Sequence, residues 1–197
     1  MIILILGLLL FLGVHSVSMS RRWRAWVIDR VGPRTYKLSY TAKSLLGLGL
    51  IIWGFIRYRN AGLIMVWNPP YFLHYVNFVL MWLAIICLFS MGRDTSKNPS
   101  KIRGLVRHPM ITAVKFWALA HLLVNGDLGG VVLFASFLAW AVADRISLKK
   151  RGDYGAPRHK KFTQADLRAV VLGSVIYAAL IFLHPYLFGV PVINGLG

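Results

Sequence analysis

The chain has 197 residues, 57% of them hydrophobic, and its formal net charge at pH 7 is +17. Soluble domains average about half apolar residues, so this composition excludes an ordinary soluble domain and predicts one polytopic membrane domain over residues 1–197. The charge does not indicate nucleic acid, because 20 of the 23 lysines and arginines fall in three segments between apolar runs. By the positive-inside rule those segments are cytoplasmic, where they would contact anionic membrane lipid.

Six apolar helices are predicted from the apolar runs and from the breaks between them. The charges of the first helix follow its apolar run, which is the wrong order for a cleaved signal peptide and predicts a retained helix. Strong turn chemistry at Asn125-Gly126-Asp127 makes the fourth and fifth helices a tight hairpin. The approximate spans are Met1–Met19, Ser39–Ile56, Tyr71–Met91, His108–Val124, Leu128–Ala143 and Ala169–Gly189.

These spans predict an all-α membrane bundle with both termini on the periplasmic side of a bacterial inner membrane. The basic segments, residues 20–43, 92–109 and 144–168, are then cytoplasmic. Gly32-Pro33 breaks the first of these segments. In the second span, Gly47, Gly49 and Gly54 would let a neighbouring helix or a flat ligand approach closely.

Six histidines are the main source of chemistry, because neutral imidazole is the commonest metal ligand in proteins. The chain has no glutamate, and no aspartate lies in the middle of a span, so neither a carboxylate di-metal site nor a Ser-His-Asp triad is expected. Cys87 is the single cysteine, which leaves no cysteine-based metal site. Haem held by one or two histidines fits this inventory. A hydrogen bond between helices is the commoner role of a membrane histidine, and His159, in a basic segment, is expected to be solvated or lipid-facing.

The fourth helix carries two polar stripes that point in different directions. At 100° per residue, His108, Thr112 and Lys115 fall within about 40° of one line. This stripe lies toward the cytoplasm and suits an anionic group such as a propionate, a phosphate or a lipid headgroup. His121 and Asn125 belong to the second stripe, nearer the outside. His108 and His121 are about 140° and ~20 Å apart, so they cannot bind one metal together.

The tracts Gly104–Pro109 and Trp117–Asp127 resemble the NnrU family, which includes plant 15-cis-zeta-carotene isomerase and bacterial proteins associated with denitrification and nitric oxide reduction. His15-Ser16, the number of spans and the length are also similar, so the resemblance covers essentially the whole chain. It implies a membrane protein with b-type haem, a lipophilic substrate and a redox or denitrification partner protein. In the isomerase branch the ligands are the first-helix histidine and the histidine of the Ala-x-x-His tract, which are His15 and His121 here.

Two features qualify what this resemblance implies. The isomerase branch carries a cysteine three residues before the second histidine, where this chain has Ala118, so a thiolate ligand exchange is not expected. Counted from the cytoplasmic edge, His15 lies at roughly 8 Å and His121 at about 21 Å along the helix axis. His74 matches His121 in depth and is the alternative metal ligand.

A second resemblance competes with the first. The segment Arg107–Met110 (Arg-His-Pro-Met) and the basic residues after the hairpin look like the isoprenylcysteine and phospholipid methyltransferases. In those enzymes Arg-His-Pro helps to bind S-adenosylmethionine, and a glutamate-containing tract after the next helix completes the site. This chain has Asp144-Arg145 in that region. A membrane methyltransferase and a cofactor-free assembly factor are therefore the alternatives to a haem protein.

Overall fold

The computed structural model describes residues 1–17, 19–91, 99–190 and 192. Within them all regular secondary structure is helical, apart from an isolated antiparallel bridge between Met65 and Asp127. The predicted all-α class is confirmed. The helices of the described residues are α1 (Ile2–Val17), α2 (Arg21–Val31), α3 (Pro33–Asn60), α4 (Leu73–Phe89), α5 (Lys101–Val106), α6 (Pro109–Val124), α7 (Leu128–Lys150) and α8 (Gln164–Phe188).

All six predicted apolar runs form helices, but their lengths differ. Helices α3, α7 and α8 are 28, 23 and 25 residues long and apolar enough to cross a membrane. Helices α1, α4 and α6 have only 16 or 17 residues, fewer than the ~20 that a span needs. Helices α1 and α2 together qualify as one broken span, bent by 93°. The described residues therefore hold three or four membrane-length spans, and the six-span topology stays a prediction.

The membrane-length helices extend beyond their predicted apolar spans. Helix α3 begins at Pro33, six residues before Ser39, and α7 continues to Lys150, seven residues past Ala143. An apolar run marks the part of a helix that contacts lipid, whereas lysine and arginine are good helix formers and prolong it into the basic segments. Part of the predicted loop between the third and fourth spans, residues 92–98, lies outside the described residues.

The helices fall into two compact units. The first unit comprises Met1–Leu73 and His121–Asp153, and the second comprises His74–Ala120 and Tyr154–Gly197. The boundary between the units falls within α6. Its residues up to Ala120 belong to the second unit, and its last turn, from His121, belongs to the first. The units are described separately below.

In the first unit, α1 and α3 pack backbone against backbone where α3 carries glycine. A Cβ atom on Gly47 would lie 2.8 Å from the backbone nitrogen of Phe11, and a Cβ on Gly54 would overlap the backbone of Leu4. Gly49 has nothing within 4 Å of such an atom. The predicted close approach is confirmed at two of the glycines and wrong at Gly49, which lies on the exposed side of the helix.

Residues 125–127 separate α6 from α7, and the connection that follows α3 is hydrogen-bonded to them, while the tight helical hairpin stays a prediction. The N–H of Val66 donates a hydrogen bond to the carbonyl oxygen of Gly126 at 2.8 Å. Asp127 is buried, and its carboxylate accepts a 2.8 Å hydrogen bond from the N–H of Gly130. Asp127 is therefore the N-cap of α7 and compensates one of the unpaired donors of its first turn.

Replacing this cap should lower the stability of the first unit. We expect Asp127→Ala to reduce the free energy of unfolding by about 1 kcal/mol, because the side-chain acceptor for the Gly130 N–H is lost. Thermal denaturation of the purified protein in detergent measures the effect. Asp127→Asn keeps a capping oxygen and serves as the control, so equal melting temperatures for the two variants would contradict the capping role.

Candidate functional site

His15 lies in the last turn of α1, and its own helix fixes the orientation of its ring. Its Nδ1 lies 2.7 Å from the carbonyl oxygen of Phe11, and the two rings stack with centroids 4.2 Å apart. Because a carbonyl oxygen can only accept, Nδ1 carries the proton, and the lone pair of the neutral imidazole is on Nε2. Metal-binding histidines adopt this arrangement when the other ring nitrogen donates to a carbonyl.

Aromatic and polar side chains of α3 and α7 surround His15. The centroid of the Tyr40 ring lies 5.4 Å from that of the imidazole, and the centroid of the Trp140 ring lies 6.0 Å from it in an edge-on arrangement. One buried donor, the indole Nε1 of Trp140, has no hydrogen-bond partner among the described residues. Buried polar atoms are nearly always satisfied in native proteins. This donor therefore indicates a place for the polar group of a ligand.

His121 lies in the last turn of α6, in the same unit as His15. Its imidazole stacks on the ring of Phe134 of α7, with centroids 4.7 Å apart. Asn125, predicted to accompany His121, donates its side-chain amide to the backbone carbonyl of His121 at 2.7 Å. The amide of Asn125 thus closes the end of α6, and the His121 imidazole is the group with ligand chemistry.

The two imidazoles lie against one helix. Trp140, beside His15, and Phe134, beside His121, are six positions apart on α7, which is ~9 Å along the axis. Around the α7 axis these two positions are about 120° apart, with Phe137 midway between them in sequence. The structure therefore places both predicted histidines in the first unit, each against an aromatic side chain of α7.

The other predicted site residues belong to the second unit. His74 is half-buried in the first turn of α4. His108 directly precedes α6, and Lys115 is half-buried within it. Across the ranges that the structure describes, no three histidine, cysteine or acidic side chains come together to hold a metal ion. A metal site here would need a cofactor that requires only one or two protein ligands, as haem does.

The Arg-His-Pro segment contains a strained turn. Arg107 has φ 67° and ψ −51°, and the N–H of His108 donates to the carbonyl of Val106 at 2.8 Å. This is a γ-turn with positive φ, which L residues rarely form. The carbonyl of Arg107 in turn accepts the N–H of Ala156 at 2.9 Å, and a Cβ on Gly155 would overlap it. The hydrogen bond from Ala156, in the segment after α7, stabilises this strained conformation of Arg107.

A buried carboxylate organises the second unit, and the sequence analysis missed it. Asp166 is fully buried, and its oxygens accept hydrogen bonds from the hydroxyl of Ser100 and from the N–H groups of Lys101 and Ile102, at 2.5–3.0 Å. It also accepts from the N–H of Thr163, whose hydroxyl donates to the carbonyl of Pro99 at 2.7 Å. The one signal in the sequence is the Thr-x-x-Asp capping box at the start of α8, which predicts a helix start but no distant partner.

These features define the class of the protein. Three of its helices, α3, α7 and α8, are long and apolar enough to span a membrane, so the described residues are those of a helical membrane protein, and its first unit contains both His15 and His121. A model of the NnrU protein family matches residues 3–192. The chain therefore belongs to the NnrU family, as the two tracts in the sequence predicted. No curated protein and no solved structure matches it.

Proposed function

We propose that this NnrU-family protein binds haem b in its first unit, where His15 and His121 would hold the cofactor. The observation that carries the proposal is the hydrogen bond between Nδ1 of His15 and the carbonyl of Phe11. It puts the ring's lone pair on Nε2, which is the state required of an iron ligand. His121 supplies the second imidazole from the last turn of α6, beside the same helix α7.

The surroundings of His15 fit a flat aromatic macrocycle that bears carboxylates. The rings of Phe11, Tyr40 and Trp140 give apolar surface close to the imidazole. The Trp140 indole N–H is a buried donor that a propionate oxygen could accept from. The close packing of α1 on α3 at Gly47 holds Phe11, and with it the adjoining turn that carries His15. These side chains would bind and orient the cofactor and keep it dry.

Bound haem would supply an iron centre that gains and loses one electron. The NnrU resemblance connects that chemistry with denitrification and nitric oxide reduction, or with redox-dependent cis–trans isomerisation of a polyene such as zeta-carotene. The chain's own residues favour chemistry without a carboxylic acid, because Asp127, the buried aspartate of the first unit, is engaged in capping α7. An apolar helical exterior suits a substrate that arrives from the lipid phase, and a redox partner protein would supply electrons.

Substitution of the two ligands tests the proposal. We expect His15→Ala and His121→Ala, expressed in haem-replete cells, each to retain less than about a tenth of the wild-type haem absorbance, because the loss of one axial ligand removes an iron–nitrogen bond. His184→Ala is the control, since His184 lies on α8 and its Nδ1 bonds to the carbonyl of Val190. Full haem content in His15→Ala that melts like the wild type would overturn the assignment.

A further inference from the structure

The connection that follows α3 carries a row of exposed apolar side chains. Leu63, Ile64, Met65 and Val66 are each 50–59% exposed, and Trp67 is 37% exposed. Successive side chains beside a β-bridge point to opposite sides, so exposure of four consecutive residues means that both sides of this segment project from the protein. Residues 63–67 therefore form an apolar ridge on the first unit.

Hydrogen bonds hold the backbone of the apolar ridge in place. The N–H of Ile64 donates to the hydroxyl of Tyr58 at 3.1 Å. The N–H groups of Val66 and Trp67 both donate to the carbonyl oxygen of Gly126, at 2.8 and 3.2 Å. Unpaired backbone groups are what keeps non-helical chain out of an apolar medium, because lipid offers them no partner. These three N–H groups are paired within the protein, so the apolar ridge can enter such a medium without leaving them unsatisfied.

Charged side chains are absent from the apolar ridge and from the chain that follows it. No lysine, arginine, aspartate or glutamate occurs between Asn60 and Met91. A contiguous exposed apolar surface of this kind marks a contact with membrane or with protein. Between these two, the depth of the apolar ridge decides.

The arginines that end α3 set this depth. Helix α3 is long enough to cross a membrane, and residues 44–56 of it carry no charge. Arg57 and Arg59, in its last turn, are exposed, and charged side chains at the end of a membrane helix reach the lipid headgroups. Tyr58 lies between these arginines and is hydrogen-bonded to Ile64 of the apolar ridge. The apolar ridge therefore lies at the level of the headgroups, beside the beginning of the acyl chains.

We infer that the apolar ridge inserts into the boundary between the headgroups and the acyl chains, so that membrane lipid is the partner of this surface. Segments that enter a bilayer without spanning it bury their apolar side chains roughly 5–10 Å into that boundary. Trp67 has the side chain that prefers this depth, because its ring is apolar and its indole N–H is polar. The inference does not depend on the haem proposal, since no histidine and no cofactor takes part in it.

Fluorescence of a label attached to the apolar ridge tests the inference. Met65→Cys is made in the full-length protein, whose single native cysteine is removed by Cys87→Ala, and is labelled with bimane and transferred to phosphatidylcholine nanodiscs. We expect phosphatidylcholine brominated on its acyl chains to lower the emission by at least about half, because the label would lie at the depth of those chains. In the same nanodiscs the unlabelled thiol should react with a water-soluble maleimide at least about tenfold more slowly than a thiol in water, because lipid disfavours the reactive thiolate.

Lys160→Cys in the same background is the matched control, because Lys160 is exposed in the basic segment between α7 and α8. Its label should keep its emission in brominated lipid, and its thiol should react as fast as a thiol in water. The Met65 side chain is exposed, so Met65→Cys should melt like the Cys87→Ala parent. If the two positions gave the same emission and the same reaction rate, the apolar ridge would lie in water and the inference would be overturned. Slow reaction at Met65→Cys without quenching would overturn it too, because protein, such as a second copy of this chain, would then cover the apolar ridge.

Discussion

Gly54→Val is expected to disrupt the packing of α1 on α3 and to remove most of the folded protein. The new Cβ would overlap the backbone of Leu4, a residue with 0% exposure, so the helices would have to separate. Overpacking a side chain commonly costs about 1–3 kcal/mol. A clash with backbone belongs at the upper end of that range, because no rotamer change relieves it. Size-exclusion yield and the melting temperature in detergent report the loss.

Gly49→Val supplies the control for this experiment within the same helix. Nothing lies within 4 Å of a Cβ at Gly49, and the residue is exposed, so the substitution should change stability by no more than about 0.5 kcal/mol. The helix backbone, the residue type and the added atoms are identical at the two positions. Comparable losses in both variants would mean that valine harms α3 itself and that the contact between α1 and α3 is not the cause.

Asp166→Ala is expected to destabilise the second unit by about 3–5 kcal/mol. The substitution leaves the hydroxyl of Ser100 and the N–H groups of Lys101 and Ile102 without their acceptor in a buried place. Such a loss costs each donor its desolvation energy, and the replaced acceptor is charged. Besides a lower melting temperature, we expect faster tryptic cleavage in residues 156–161, because the carboxylate bridges α5 to the start of α8.

Asp29→Ala separates this effect from a change in net charge. Asp29 is exposed on α2, in the first unit, and its replacement adds the same increment of positive charge. We expect its melting temperature and its tryptic pattern to match the wild type. If Asp166→Ala behaved no differently from Asp29→Ala, the buried hydrogen bonds would not hold the second unit together.

The positions of the helices could be predicted because an apolar run and a helix coincide wherever lipid is the solvent. The ends of the helices could not be predicted in this way, because α3 and α7 continue through basic residues that lie outside the apolar runs. The break between α6 and α7 at residues 125–127 could be predicted because asparagine, glycine and aspartate end helices through local backbone preferences. The hydrogen bond from the Ser100 hydroxyl to Asp166 joins residues 66 positions apart in the chain, and no local pattern in the sequence predicts it.

In the candidate sites too, local features could be predicted from the sequence and long-range contacts could not. His15 follows Phe11 by four residues, so their contact is inherent in a helix, but the hydrogen bond that sets the tautomer became apparent only in the structure. The neighbouring donor of Trp140 comes from α7, far along the chain. His159, predicted to be solvated or lipid-facing, is half-buried and lines a small cavity beside α5. Gly104 contacts the segment that carries His159, more than 50 positions later in the chain. The spacing of residues in the sequence does not predict a contact over such a distance.

The haem content of the wild-type protein tests the central claim most directly. Full-length protein purified from haem-replete cells should contain about one haem b per chain, with a Soret band that sharpens when dithionite reduces the iron. A colourless preparation that melts cooperatively would contradict the account. Saturable binding of S-adenosylmethionine by such a preparation would favour the methyltransferase, and no binding would favour the assembly factor.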